Sequence, residues 1–222
     1  MSTPQTETPT QAWSRRTAHA GEVDFTMMYV AHDAFNRDLT RLVTAARAGS
    51  GFSSAALATW QLFSRQLHTH HTAEDTALWP RLRAAVETEE ELSLLADMEA
   101  EHAELDPRLE RIETALAGRV AGRLVTELEG LAAGLAAHMR HEEDAALPLV
   151  ERRLGAAGWK AFGDEIRDRN GGLKGGALYL PWVLDGATED VTGRVLQLLP
   201  PPARLLYRGW ERKYRKAGRL AG

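Results

Sequence analysis

The chain has 222 residues, 44% hydrophobic and 26% charged, enough to bury one sizeable domain with an appendage or two small domains. A net charge of −4 argues against a dedicated nucleic-acid binder, and no strong nucleic-acid signal stands out. Cysteine is absent, which excludes disulfides, iron–sulfur clusters, thiolate zinc sites and thiol catalysis and fits a reducing, cytoplasmic setting.

The first segment, "MSTPQTETPTQ", is rich in Ser, Thr and Pro and lacks the apolar centre of a secretory signal, so residues 1–17 read as a disordered lead-in. From about 18 to 154, apolar residues recur at three- and four-residue spacing, the signature of amphipathic helices. Breaks at "AGSGFSS" (48–54), "VETEEE" (86–91) and "AGRVAGR" (117–123) divide this region into helices over about 18–48, 53–86, 89–117 and 120–154. Ser53 or Ser54 is placed to cap the second. Four helices of similar length with short connections predict an all-α, antiparallel up-down four-helix bundle. The most apolar run, "LAAGLAAHM", is too short to cross a bilayer, so no transmembrane segment is expected.

Beyond the bundle, residues 155–222 form an extension expected to be partly helical and packed on the bundle, being too small for much core of its own. Its stretch "RNGGLKGGALYLPWVLDGATED" is rich in glycine and predicts irregular structure. Helices are expected near 189–199 and 202–217, on either side of "PPP" at 200–202. The last is basic, with Leu206, Trp210 and Tyr214 as an apolar stripe. Such a helix docks on its own protein or contacts a partner, nucleic acid or an anionic membrane surface; docking is the favoured expectation.

Two stretches within the bundle repeat each other. In "LHTHHTAEDTALWP" (67–80) and "AHMRHEEDAALP" (137–148), aligning Pro80 with Pro148 aligns His70 with His138, Glu74 with Glu142 and Asp75 with Glu143. One histidine precedes each motif, His32 by 38 residues (32 to 70) and His102 by 36 (102 to 138). Met28 and Met98 stand four residues before those histidines, and Leu39 and Leu109 seven after. The chain thus reads as two copies of a helical hairpin, with His on one helix and His-x-x-x-Glu on the next. A proline inside helical sequence removes a hydrogen bond, so Pro80 and Pro148 predict a kink or an end.

At i and i+4, histidine and glutamate share a helix face. Two hairpins packed about a pseudo-twofold axis bring four histidines and two glutamates to the centre, where buried carboxylates need a partner or a metal. Two metal ions satisfy both needs, each taking two imidazoles with both glutamates free to bridge. Imidazole with carboxylate suits iron, zinc or manganese, and paired carboxylate bridges favour di-iron. The Glu-x-x-His pattern of ferritin-like centres occurs only at Glu99–His102, and "HEEDA" from His141 lacks the second histidine of a zincin.

These residues resemble the hemerythrin-like, or HHE cation-binding, family over about residues 18–154, in the bacterial "H…HxxxE…H…HxxxE" arrangement. The resemblance implies a four-helix bundle around an oxo- or hydroxo-bridged pair of iron ions. It implies His32, His70, His102 and His138 as terminal ligands and Glu74 and Glu142 as bridges. The fifth histidine of the oxygen carriers falls at Met98 here, which implies chemistry on a small oxidant (O2, H2O2 or NO) rather than reversible oxygen carriage. A catalase-like or NO-reducing oxidoreductase is one outcome; an iron or redox sensor, or an iron-centre repair protein, signalling through the extension is the other. With six protein ligands for two metals, exchangeable positions remain.

The neighbours are ambiguous. His71 or His141 replaces a nearby member of this ligand set if the helix phase is off by about 100°. Asp75, Glu143 and Asp106 are candidates to orient ligand imidazoles, with plain surface charge as the alternative. Tyr29 fits core packing better than lining the site, and His68 and His19 fit solvent.

Overall fold

A computed structural model describes Trp13, Ser14, Arg16 and residues 21–220, all within helices, turns and short connections. The expected lead-in and His19 therefore lie largely outside the described residues. The helices are α1 (Thr26–Arg47), α2 (Ser54–Ala73), α3 (Trp79–Arg83), α4 (Glu89–Ala117), α5 (Ala121–His141), α6 (Leu147–Arg169), α7 (Gly172–Val183), α8 (Glu189–Leu198) and α9 (Pro201–Arg215). No helix among the described residues is long and apolar enough to cross a membrane.

Local chemistry sets the starts. The Ser53 hydroxyl accepts the Ala56 N–H at 3.2 Å, Thr88 accepts that of Glu91 at 3.2 Å, and Thr188 that of Val191 at 3.3 Å. Each satisfies a first-turn donor that the helix itself leaves unpaired.

The two aligned prolines behave differently from expectation. Glu74–Leu78 and Glu142–Ala146 are single π-helical turns, closed by Trp79 N–H to Glu74 C=O and Leu147 N–H to Glu142 C=O. The widened turn carries the chain through to α3 and α6, where Pro80 and Pro148 sit in the first turn and their missing N–H costs little. The helices neither end nor break there. Both π turns begin at the motif glutamates, in keeping with the tendency of such turns to mark functional positions.

Helix α1 packs on α5 and α2, α4 on α5, and α2 on α6. The apolar interior has two clusters. One includes Phe35, Leu67, Leu105, Leu135 and Met139; the other Met28, Ala73, Met98, Ala146 and Leu147. His32 lies between Met28 and Phe35 in sequence, His70 between Leu67 and Ala73, His102 between Met98 and Leu105, and Glu142 between Met139 and Ala146. The motif residues form a polar layer between two oily ones.

Beyond residue 154 the structure is more regular than the glycines suggest. The helix runs through Gly155, whose φ of 56° makes a kink, to Arg169. The glycine-rich stretch is itself helical from Gly172, because burying Leu180, Trp182 and Val183 outweighs the weak propensity of its glycines. The Trp182 indole N–H donates to Asp38 Oδ2 at 2.8 Å, and Arg37 Nη1 donates to the Trp182 and Asp185 carbonyls at 2.9 and 2.8 Å. Helix α9 packs on α7 through buried Ala203 and Tyr207, with Trp210 and Tyr214 partly covered. Leu206, expected in that stripe, is exposed, because the buried face follows the three- and four-residue steps from Ala203 through Tyr207, Trp210 and Tyr214.

Trp182→Ala deletes a fully buried ring and the indole donor to Asp38 Oδ2, leaving Arg37 on Oδ1 of that buried carboxylate. It is expected to destabilise the protein by about 3–5 kcal/mol. Thermal or urea unfolding of the variant checks this; a loss under about 1 kcal/mol contradicts the anchoring role.

Candidate metal centre

The six motif residues converge in the buried layer. Glu74 and Glu142 are fully buried, and none of their four carboxylate oxygens has a hydrogen-bond partner among the described residues. Instead they face imidazole nitrogens. His70 Nε2 lies 2.9 Å from Glu74 Oε1, His102 Nε2 3.5 Å from Glu74 Oε2, and His32 Nε2 3.2 Å from Glu142 Oε2. Glu74 therefore reaches a histidine of each hairpin, one with each oxygen.

Potential donor atoms fall into two groups, within each of which they lie inside 4.8 Å of one another: His32, His70 and Glu142 in one, His71, His102 and His138 in the other. His71, weighed from sequence as a substitute for His70, sits beside it in the layer rather than in its place. Adjacent residues on a helix diverge by about 100°, so the pair addresses both groups at once. His141 lies outside both groups, bonded to Glu101 at 2.8 Å, and His68 is exposed.

Three imidazoles are held from behind. His32 Nδ1 is 2.8 Å from Glu143 Oε1, His102 Nδ1 2.9 Å from Asp75 Oδ1, and His138 Nδ1 2.7 Å from Glu101 Oε2. A carboxylate only accepts, so each Nδ1 carries the hydrogen, and in the neutral ring each Nε2 presents a bare lone pair to the layer. His102 Nε2 and His138 Nε2 then face each other at 3.0 Å, which requires a cation between or on them. Two nitrogens each about 2.1 Å from one ion at right angles are themselves about 3.0 Å apart. The donor set fits a metal.

Protons compete for these places in the metal-free centre. Burial lowers the pKa of His32, but its contacts with Glu142 and Glu143 prevail and raise it to about 10. Burial raises Glu74 well above the usual carboxylate range, and the Glu142 charge adds to this. Burial works the same way on Glu142, but His32 holds it below its ordinary value. Burial takes His70 down to about 3 and His138 to about 4, and lowers His71 strongly, with neighbouring histidines reinforcing it. His102 is raised because the bond to Asp75 and the charge of Glu74 outweigh its burial. Neutral His70, His71 and His138 have lone pairs free to bind.

The Glu143 carboxylate is buried and held near 2 by His32 and Arg16, against the effect of its burial. Arg16 clasps it in bidentate fashion, Nη2 to Oε1 at 2.6 Å and Nε to Oε2 at 2.8 Å, and also donates to Asp33 at 2.8 Å. Sequence reasoning named Asp75 and Glu143 as candidates for this supporting role. It also named Asp106, which is exposed, and did not name Glu101 or Arg16. Tyr29 packs in the apolar cluster, with the Arg16 guanidinium 5.0 Å from its ring centroid.

The family model of the hemerythrin HHE cation-binding domain matches residues 23–150. The chain belongs to the hemerythrin HHE family. That assignment makes it a helical metal-binding domain, and the matched span contains both donor groups. No curated protein and no solved structure gives a significant match to the chain.

Because His32 keeps its proton up to about 10, a metal taking His32 Nε2 at neutral pH would displace that proton. Binding of zinc or iron(II) is therefore expected to tighten as pH rises from about 6 to 8, releasing at least about one proton. Calorimetry in buffers of different ionisation enthalpy measures this; binding that releases no proton contradicts a charged His32 in the metal-free centre. In metal-free protein the sign reverses. The stability from the raised His32 pKa is fully present below its ordinary 6.5 and is lost as pH climbs through about 10.

Proposed function

We propose that α1, the α2–α3 unit, α4 and the α5–α6 unit form an antiparallel four-helix bundle around a carboxylate-bridged di-iron centre that binds or turns over a small oxidant: O2, H2O2 or NO. In this reading His32, His70, His102 and His138 are terminal ligands, Glu74 and Glu142 bridge, and residues 18–154 form the functional domain with 155–222 packed on it. Zinc and manganese suit the same donors, and a cytoplasmic setting accords with a chain free of cysteine.

The observation that carries the reading is Glu74, whose two oxygens lie 2.9 and 3.5 Å from histidines of separate donor groups while neither has a hydrogen-bond partner among the described residues. A single ion leaves one side of that carboxylate unsatisfied; two ions satisfy both.

Bound iron supplies the one-electron chemistry that side chains lack. The protein's share is positional. Glu143, Asp75 and Glu101 fix three imidazoles with Nε2 inward, Arg16 pins Glu143, and the apolar layers exclude bulk water. His32 Nε2 holds the proton that leaves when metal enters.

Aerobically purified protein is expected to contain about two irons per chain and show an oxo-bridge charge-transfer band, with the spectrum changing on addition of peroxide or NO. Iron-loaded protein inert to peroxide, oxygen and NO contradicts oxidant chemistry and leaves sensing. One contact favours that second reading: a cavity beside His70 is lined by Phe35, Gln66 and Thr69 together with Ile166, Asn170 and Tyr179 from beyond residue 154. A sensor requires protease sensitivity of residues 155–220 to change with metal loading.

A further inference from the structure

His71 is 7% exposed, deep in a layer where each buried polar group needs a partner, yet among the described residues no carboxylate holds either of its ring nitrogens. His32, His102 and His138 each have such a carboxylate; His71 has two other histidines instead. Its ring lies parallel to that of His102, centroids 4.0 Å apart and 14° between planes, and nearly perpendicular to His138 at 5.6 Å. A donor nitrogen from each of the three rings lies within 4.8 Å of the other two, all three residues buried. Glu74 Oε2, 3.5 Å from His102 Nε2, faces the same space.

We propose that His71 is itself a metal ligand, the fifth imidazole of the centre, bound to the same ion as His102 and His138. The inference rests on the two-metal reading above and adds to it an asymmetry. One ion has His32 and His70, the other His71, His102 and His138, with Glu74 and Glu142 between them. The 100° step between adjacent helical residues sends His70 to one ion and His71 to the other, so one helix turn supplies an imidazole to each and, through Glu74, the carboxylate between them. The neutral imidazole required for binding is the form that burial among other histidines favours.

Stacking alone is the competing role, and substitution separates the two. His71→Phe keeps an aromatic ring against His102 and removes the donor. It is expected to hold one of the two ions more than about 100-fold more weakly than the parent, since losing even an outer-shell partner of a ligand costs about 10–100-fold. Circular dichroism and a thermal melt of the metal-free variant establish that it folds. A second variant reports ligation directly. The chain has no cysteine, so in His71→Cys loaded with two cobalt(II) ions any thiolate-to-cobalt charge-transfer band comes from position 71.

The band in His71→Cys, with weakened retention of one ion in His71→Phe, is the expected result. Full two-metal loading of His71→Cys without the band, or of His71→Phe with parental affinity, overturns the fifth ligand while leaving the two-metal reading intact. Parent protein that takes up fewer than two ions overturns the two-metal reading instead.

Discussion

Two fully buried carboxylates, faced by imidazole nitrogens and with no hydrogen-bond partner at ordinary geometry among the described residues, dominate this structure. Moving an ionised carboxylate out of water costs several kcal/mol even after relaxation, and Glu74 and Glu142 also repel each other. A fold keeps such a pair only if a proton neutralises one of them, the direction in which burial and Glu142 push Glu74, or a cation accompanies them. Protons on His32 and His102 serve that need poorly, because each can satisfy one neighbour at a time. Divalent ions serve it better, since each gathers several lone pairs at one point. Membership of the cation-binding hemerythrin HHE family agrees with that physical demand.

The rest of the architecture serves to hold these charges in place. Apolar clusters close the layer from both sides, and the π turns that begin at Glu74 and Glu142 let both helices continue past their prolines without a break. Support also comes from the polar side. Glu143 and Arg16 connect His32 to a residue near the N-terminus, while Glu101 takes both His138 and His141. The segment beyond residue 154 is tied on through Trp182, Asp38 and Arg37, and Leu220 N–H reaches Thr59 Oγ1 on α2 at 3.0 Å.

Much of the centre was legible in the sequence because its information is local and repeated. A four-residue step puts His and Glu on one face, and two copies phased to prolines distinguish a centre from a surface pair. The convergence of His32, His70, Glu74, His102, His138 and Glu142 could be anticipated on that basis. His71 could not be assigned, because periodicity treats adjacent residues as facing away from each other, and only the placement of two distinct donor groups gives both a role. Glu101 and Arg16 carried no signal, since an acid or a cation on a helix is ordinarily a solvated charge. The glycine-rich stretch was misjudged because local propensity says nothing of the Trp182 side chain, whose burial against α1 makes a helix there worthwhile. A π turn likewise has no letter code; proline in helical sequence predicts a break unless the preceding turn widens.

The central claim is that one buried layer holds two ions joined by Glu74. Anomalous diffraction at the metal absorption edge, from crystals of the loaded protein, tests it most directly. The account predicts two peaks about 3.5–4 Å apart, one among His32, His70 and Glu142 and the other among His71, His102 and His138, with Glu74 touching both. A single peak, or two with Glu74 bound to only one, would contradict it.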